Sequence, residues 1–120
     1  WQPLPSMPTA RKYFAAVAVA GKVYAIGGTR TKEVFCDAVE AYDPLSNAWT
    51  RVASLPEARS CHTAAVVDGK IYVIGGERAD FDYEDECVSI NSVYVYDPVA
   101  DSWQQMAAMP TARGSHAAAV

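Results

Sequence analysis

The sequence predicts an all-β protein built from repeated four-stranded antiparallel sheets. A set of landmark residues recurs in one fixed order. The segments between them are short apolar runs closed by turn residues. No stretch of the 120 residues carries the 3.6-residue period of an amphipathic helix.

The repeat is read first, because it determines everything else. Trp1, Trp49 and Trp103 each stand seven residues before a Pro and ten before an Arg, in the segments MPTAR (7–11), LPEAR (55–59) and MPTAR (109–113). Gly27-Gly28 returns as Gly75-Gly76 after 48 residues, and Tyr42-Asp43-Pro44 as Tyr96-Asp97-Pro98 after 54. In both copies Tyr precedes Trp by seven positions. The six residues by which the periods differ must lie between Gly76 and Tyr96.

Each period holds four strands. The first, at 13–19 and 61–67, is rich in Ala and Val, and the second, at 22–26 and 70–74, reads KVYAI and KIYVI. Absence of polar alternation in the second predicts a strand covered on both faces. The third strand spans 38–42 and 92–96, and the fourth begins at Trp49 and Trp103. Asp68-Gly69 suits a tight hairpin, and Asp-Pro followed by Asn47 or Asp101 suits a longer turn. Ala20-Gly21 replaces Asp-Gly in the first copy, which leaves that turn's type open.

A sheet of about fifty residues cannot bury both of its own faces, so successive sheets must stack. Radial stacking brings the small first-strand residues together near an axis. Gly27, Gly28, Gly75 and Gly76 permit close backbone approach. Tyr42, Tyr96, Trp49 and Trp103 have the bulk to fill the gaps that widen outward.

Gly-Gly, Tyr-Asp-Pro, Trp and Pro-x-x-Arg at this spacing closely resemble the kelch repeat, over essentially the whole chain. The resemblance implies kelch-type β-propeller blades, with the Gly pair, Tyr and Trp as structural landmarks. The expected division is an outer strand and linker of a preceding blade at 1–10, blades at 11–53 and 59–107, and an inner strand of a following blade at 113–120. Propellers close with about four to eight blades. The expectation is therefore an incomplete propeller: a piece of a larger one, an engineered fragment, or a unit whose copies complete a ring.

The resemblance also places the second-to-third-strand loops and the blade-to-blade links on one face, which family members use to bind protein or peptide. That face would carry Arg11, Lys12, Tyr13, Arg59, Ser60 and Arg113, together with Arg30 and Arg78 from the loops at 29–37 and 77–91. Two readings of the Pro-x-x-Arg arginines stay open. Each can grip a partner's carboxylate bidentately, or pair within the propeller. The expected function is a protein-interaction scaffold. The alternative is part of a kelch-like enzyme of oxidase, sugar mutarotase or iron-assisted lyase type.

Composition narrows the classes. With 51% apolar residues and a net charge of −4, the chain can build a core but lacks the basic excess of a nucleic-acid-binding domain. No apolar run approaches the ~18 residues of a membrane span. Cys36, Cys61 and Cys87 include no CxxC pair, which favours reduced thiols and a cytoplasmic setting. No nucleophile or phosphate-loop motif is present, so no catalytic residue and no cofactor is expected. His62 and His116 stand where the first copy has Phe14, which points to packing. Two histidines with no third ligand do not indicate a metal.

The insertion carries the sequence's individuality. Residues 77–86 (ERADFDYEDE) hold six acidic groups against one Arg, a local charge of −5 that leaves the remainder at +1. Asp80, Asp82 and Glu84 alternate as in a calcium loop, but Asp85 stands where the EF-hand turn needs Gly, and Asn91 where it needs Glu. A solvated loop and a contact for a basic partner remain as readings. In the second, Phe81 and Tyr83 would be aromatic anchors.

Overall fold

The computed structural model describes the backbone over residues 13–31, 34–79 and 87–107. In chain order the strands are β1 (Ala15–Val19), β2 (Lys22–Ile26), β3 (Thr29–Thr31), β4 (Val34–Phe35), β5 (Val39–Asp43) and β6 (Ala48–Val52). They are followed by β7 (Thr63–Val67), β8 (Lys70–Ile74), β9 (Glu77–Ala79), β10 (Cys87–Ser89), β11 (Val93–Asp97) and β12 (Ser102–Met106). Two four-stranded antiparallel sheets result, ordered β1-β2-β5-β6 and β7-β8-β11-β12. The protein is all-β, and no helix among the described residues is long and apolar enough to cross a membrane.

The third and fourth strands fall within one residue of their expected positions. The long loops hold more order than expected. β3 pairs with β4 and β9 with β10, so each loop is itself a short hairpin. Neither half shows a strand pattern long enough to read, because each is only two or three residues.

Turn geometry repeats more faithfully than turn sequence. Ala20 and Gly21 have φ of 52° and 75°, and Asp68 and Gly69 have 51° and 76°. Ala20 therefore takes the same left-handed conformation as Asp68, at the steric cost that Cβ imposes there. Positive φ at both central residues marks the tight turn that matches strand twist.

The core lies between the sheets. Tyr24, Ile26, Val39 and Ala41 of the first meet Ile71, Val73 and Tyr96 of the second, with Leu55 from the linker. The innermost strands β1 and β7 lie against each other. Farther out, Tyr96 packs on Trp103 with ring centroids 5.0 Å apart, and Tyr42 on Trp49 at 5.4 Å.

The outer rim is locked by hydrogen bonds to one residue. Ala53, just past β6, donates its N–H to Asp101 Oδ1 at 2.9 Å, and its carbonyl accepts Trp103 Nε1–H at 2.9 Å. The same Asp101 oxygen accepts the Tyr96 hydroxyl at 2.6 Å. These bonds, from Tyr96 first and Ala53 second, hold the Asp101 carboxyl below its ordinary pKa. A carboxylate depressed on folding contributes stability above its unfolded pKa of about 3.9 and loses it as pH falls through the folded value. The melting temperature is therefore expected to drop through and below that range. Asp101→Asn keeps an acceptor oxygen, as Asn47 does for Tyr42 in the first blade, and should flatten that part of the curve. A variant with the same acid slope as the parent would show that the lock contributes nothing.

Candidate interaction face

The ends of β2 and β8 point to the face where the linker 53–62 crosses from one sheet to the next. Gly28 N–H donates to Arg59 O at 2.8 Å, and Cys61 N–H to Tyr13 O at 3.1 Å. Ser60 exchanges two backbone bonds with Glu77, at 3.0 and 2.9 Å. His62 is buried, and its Nε2–H donates to Ile26 O at 2.8 Å, tying the second blade to the first. A carbonyl partner requires the proton on Nε2. The histidine acts as packing with a directed bond.

Arg59 is the centre of this face but not of its surface. Its relative exposure is 0%. Nη1 donates to Gly75 O at 2.9 Å and Ser92 O at 3.2 Å, and Nη2 to Ser92 Oγ at 2.7 Å and Glu57 Oε1 at 3.1 Å. Its Cζ lies 5.2 Å from the Tyr94 ring centroid, within cation–π range. Burial lowers the arginine's pKa, and Glu57 and Tyr94 oppose that shift. Glu57 also reaches outward, with Oε2 3.8 Å from Arg78 Nε on β9. One carboxylate thus connects a sealed arginine to a half-exposed one at the root of the acidic hairpin.

Two of the expected contacts, Arg59 and Ser60, are buried in this arrangement. Arg59 is a structural strut, because its Nη1 and Nη2 donors are spent on the carbonyls of Gly75 and Ser92 and on the side chains of Ser92 and Glu57. Ser60 is 3% exposed, with its backbone committed to Glu77. Tyr13, by contrast, is 60% exposed and held at φ 56° at the entry to β1, and Arg78 keeps about a third of its side chain in solvent. Of Arg30, only the backbone on β3 is described. Arg11, Lys12, Arg113, Asp80, Phe81, Asp82, Tyr83 and Glu84 lie outside the described residues.

Glu57, Ser92 and Tyr94 were missed as partners of Arg59. One signal was available: Glu57 interrupts a segment that has Thr9 and Thr111 in its other copies. Ser92 and Tyr94 come from 33 and 35 residues beyond Arg59 along the chain, and only the pairing of β8 with β11 brings them there.

The family model for the KLHDC2/KLHL20/DRC7 Kelch-repeats domain matches residues 1–120. The chain belongs to the kelch-repeat family. Human (Homo sapiens) Kelch-like protein 33 is 43% identical over 49 residues, covering 41% of this chain and 9% of that protein. The F-box/kelch-repeat protein At1g16250 of Arabidopsis thaliana is 40% identical over 50 residues, covering 41% of this chain and 13% of that protein. A solved structure titled "Structure of YjhT" superposes with a TM-score of 0.83 and 26% identity, over 98% of this chain and 33% of that one. The kelch chain therefore spans about a tenth of the curated relatives' length and a third of the solved structure. Its two sheets are kelch-type propeller blades, with β1 and β7 innermost and β6 and β12 outermost.

Proposed function

We infer that these kelch blades form a protein-interaction scaffold that meets a protein or peptide partner on the loop face. The supporting observation is how the acidic hairpin is rooted: Ser60 and Glu77 exchange two backbone hydrogen bonds, which join the base of β9 to the linker that the sealed Arg59 braces, so the hairpin stands on a rigid mount. Loops on rigid scaffolds are where binding residues concentrate. Tyr13 supplies an exposed aromatic beside them, and Asp80, Phe81, Asp82, Tyr83 and Glu84 supply charge and rings by sequence. A partner with basic residues fits this face.

Among the described residues no three His, Cys, Asp or Glu side chains come together in a way that could hold a metal ion.

The test is selection of peptides against the immobilised chain, followed by affinity measurement on variants. Tyr13→Ala and the charge-neutralised triple D80N/D82N/E84Q are each expected to weaken the selected peptide about tenfold, as hot-spot residues do. Their melting temperatures should be unchanged. Leu45→Ala and Val99→Ala, in exposed turns at the opposite end of the blades (98% and 96% exposed), should bind as the parent does. Loss of binding in the turn variants alone would move the interaction off this face.

A further inference from the structure

The groups that hold Arg59 do not recur in the first blade. Arg59 donates from Nη2 to Glu57 Oε1 and Ser92 Oγ and lies over the Tyr94 ring. Landmarks before the insertion repeat after 48 residues and those beyond it after 54, so the three matching positions are Thr9, Ala38 and Glu40. The matching arginine is Arg11. Thr9 has no carboxylate, Ala38 has no hydroxyl, and the aromatic ring is gone. In their place one carboxylate has appeared, at the position of the ring.

Strand register gives the same match. Glu40 on β5 stands opposite Ala25, and Tyr94 on β11 opposite Val73, which is the same place in each sheet. Val39 and Ala41 belong to the core between the sheets, so alternation turns Glu40 to the first blade's other face. Tyr94 is on the corresponding face of its own blade, and there the linker arginine lies over it. Glu40 is 1% exposed. A carboxylate so far from water requires a cation or hydrogen-bond donors beside it. Arg51 stands opposite Glu40 on β6, but it is exposed to solvent.

We propose that the outward face of the first blade is the docking face of the segment 7–11, with Glu40 receiving the guanidinium of Arg11. The carboxylate that neutralises the linker arginine then sits on the strand in the first blade and on the linker in the second. The exchange keeps one negative charge beside each arginine. It also accounts for Glu57 where the other two copies of the segment have Thr9 and Thr111. A carboxylate can accept two parallel N–H bonds from a guanidinium, where a ring offers only its face. Docked there, Arg11 is out of a partner's reach, as Arg59 is. The pairing does not depend on the loop-face reading.

Urea unfolding of the 120-residue chain, followed by tryptophan fluorescence, tests the pair. Glu40→Gln and Arg11→Ala are each expected to raise the unfolding equilibrium constant about a hundredfold, as breaking a buried ion pair does. The double variant should fall short of the product of the two effects by about tenfold or more. The exchange itself is the stricter test. Glu40→Tyr leaves Arg11 without a carboxylate, and adding Thr9→Glu rebuilds the arrangement of the second blade and should recover most of the loss. Thr9→Glu in the parent should gain nothing. If Glu40→Gln does not fold, recovery by Thr9→Glu in the Glu40→Tyr background decides the matter. Independent losses at Glu40 and Arg11, no recovery by Thr9→Glu, or coupling of Glu40 to Arg51 instead would each overturn the pair. Coupling to Arg113, in the identical segment MPTAR, with stability that rises with protein concentration, would give the face to a second copy and overturn it as well.

Discussion

Arg59→Ala is expected to cost about 3 kcal/mol or more and to lower the urea midpoint of the chain accordingly. The reason is what it leaves behind. Gly75 O, Ser92 O, Ser92 Oγ and Glu57 Oε1 all lose a charged donor. Each buried acceptor left unpaired costs about 1–3 kcal/mol, and water entering the opened site recovers part of that. Removing one member of a buried charged network costs ~3–5 kcal/mol. Because Glu57 keeps 36% of its side chain in solvent, the lower end of that range applies. Arg59→Lys should rescue little, since an ammonium cannot span carbonyls and a carboxylate as the guanidinium fork does. Arg78→Ala is the control. Its pair with Glu57 is long and half-solvated, and exposed pairs are worth about 0–1 kcal/mol. Equal losses in Arg59→Ala and Arg78→Ala would show that Arg59 is not the strut of this linker.

Arg59 also shows what a sequence can and cannot reveal about a site. Its recurrence with Arg11 and Arg113 marks it as part of the blade, and the kelch resemblance places it on the loop face. Whether its guanidinium points into the protein or toward a partner depends on acceptors that are distant in sequence. Gly75, Ser92 and Tyr94 become its neighbours only through strand pairing. The strands themselves were legible because alternating small and large apolar runs, Gly pairs and Asp-Pro turns each impose a local geometry. The β3/β4 and β9/β10 hairpins were not, since two or three residues carry no period.

Gly76→Ala is expected to cost about 4 kcal/mol, from two sources that a second glycine separates. Gly76 and Gly69 both have positive φ, 98° and 76°, a conformation that costs an L-residue roughly 1–2 kcal/mol. A Cβ at Gly69 meets nothing within 4 Å, so Gly69→Ala should show that strain alone. At Gly76 the added carbon would stand 2.6 Å from Ser60 O and 2.9 Å from His62 Cα. Both are backbone atoms of the linker and cannot rotate aside. Overpacking of this kind adds ~1–3 kcal/mol. The two chains must move apart, and the Ser60–Glu77 backbone pair holds them together immediately beside the clash. The neighbouring Gly75 carbonyl is an acceptor of Arg59. Pushing Gly76 away from the linker therefore loosens the same strut that Arg59→Ala removes. The double variant should lose less than the sum of the two single losses, by ~0.5–3 kcal/mol in a double-mutant cycle. Strict additivity would mean that the Gly pair and Arg59 hold the linker independently.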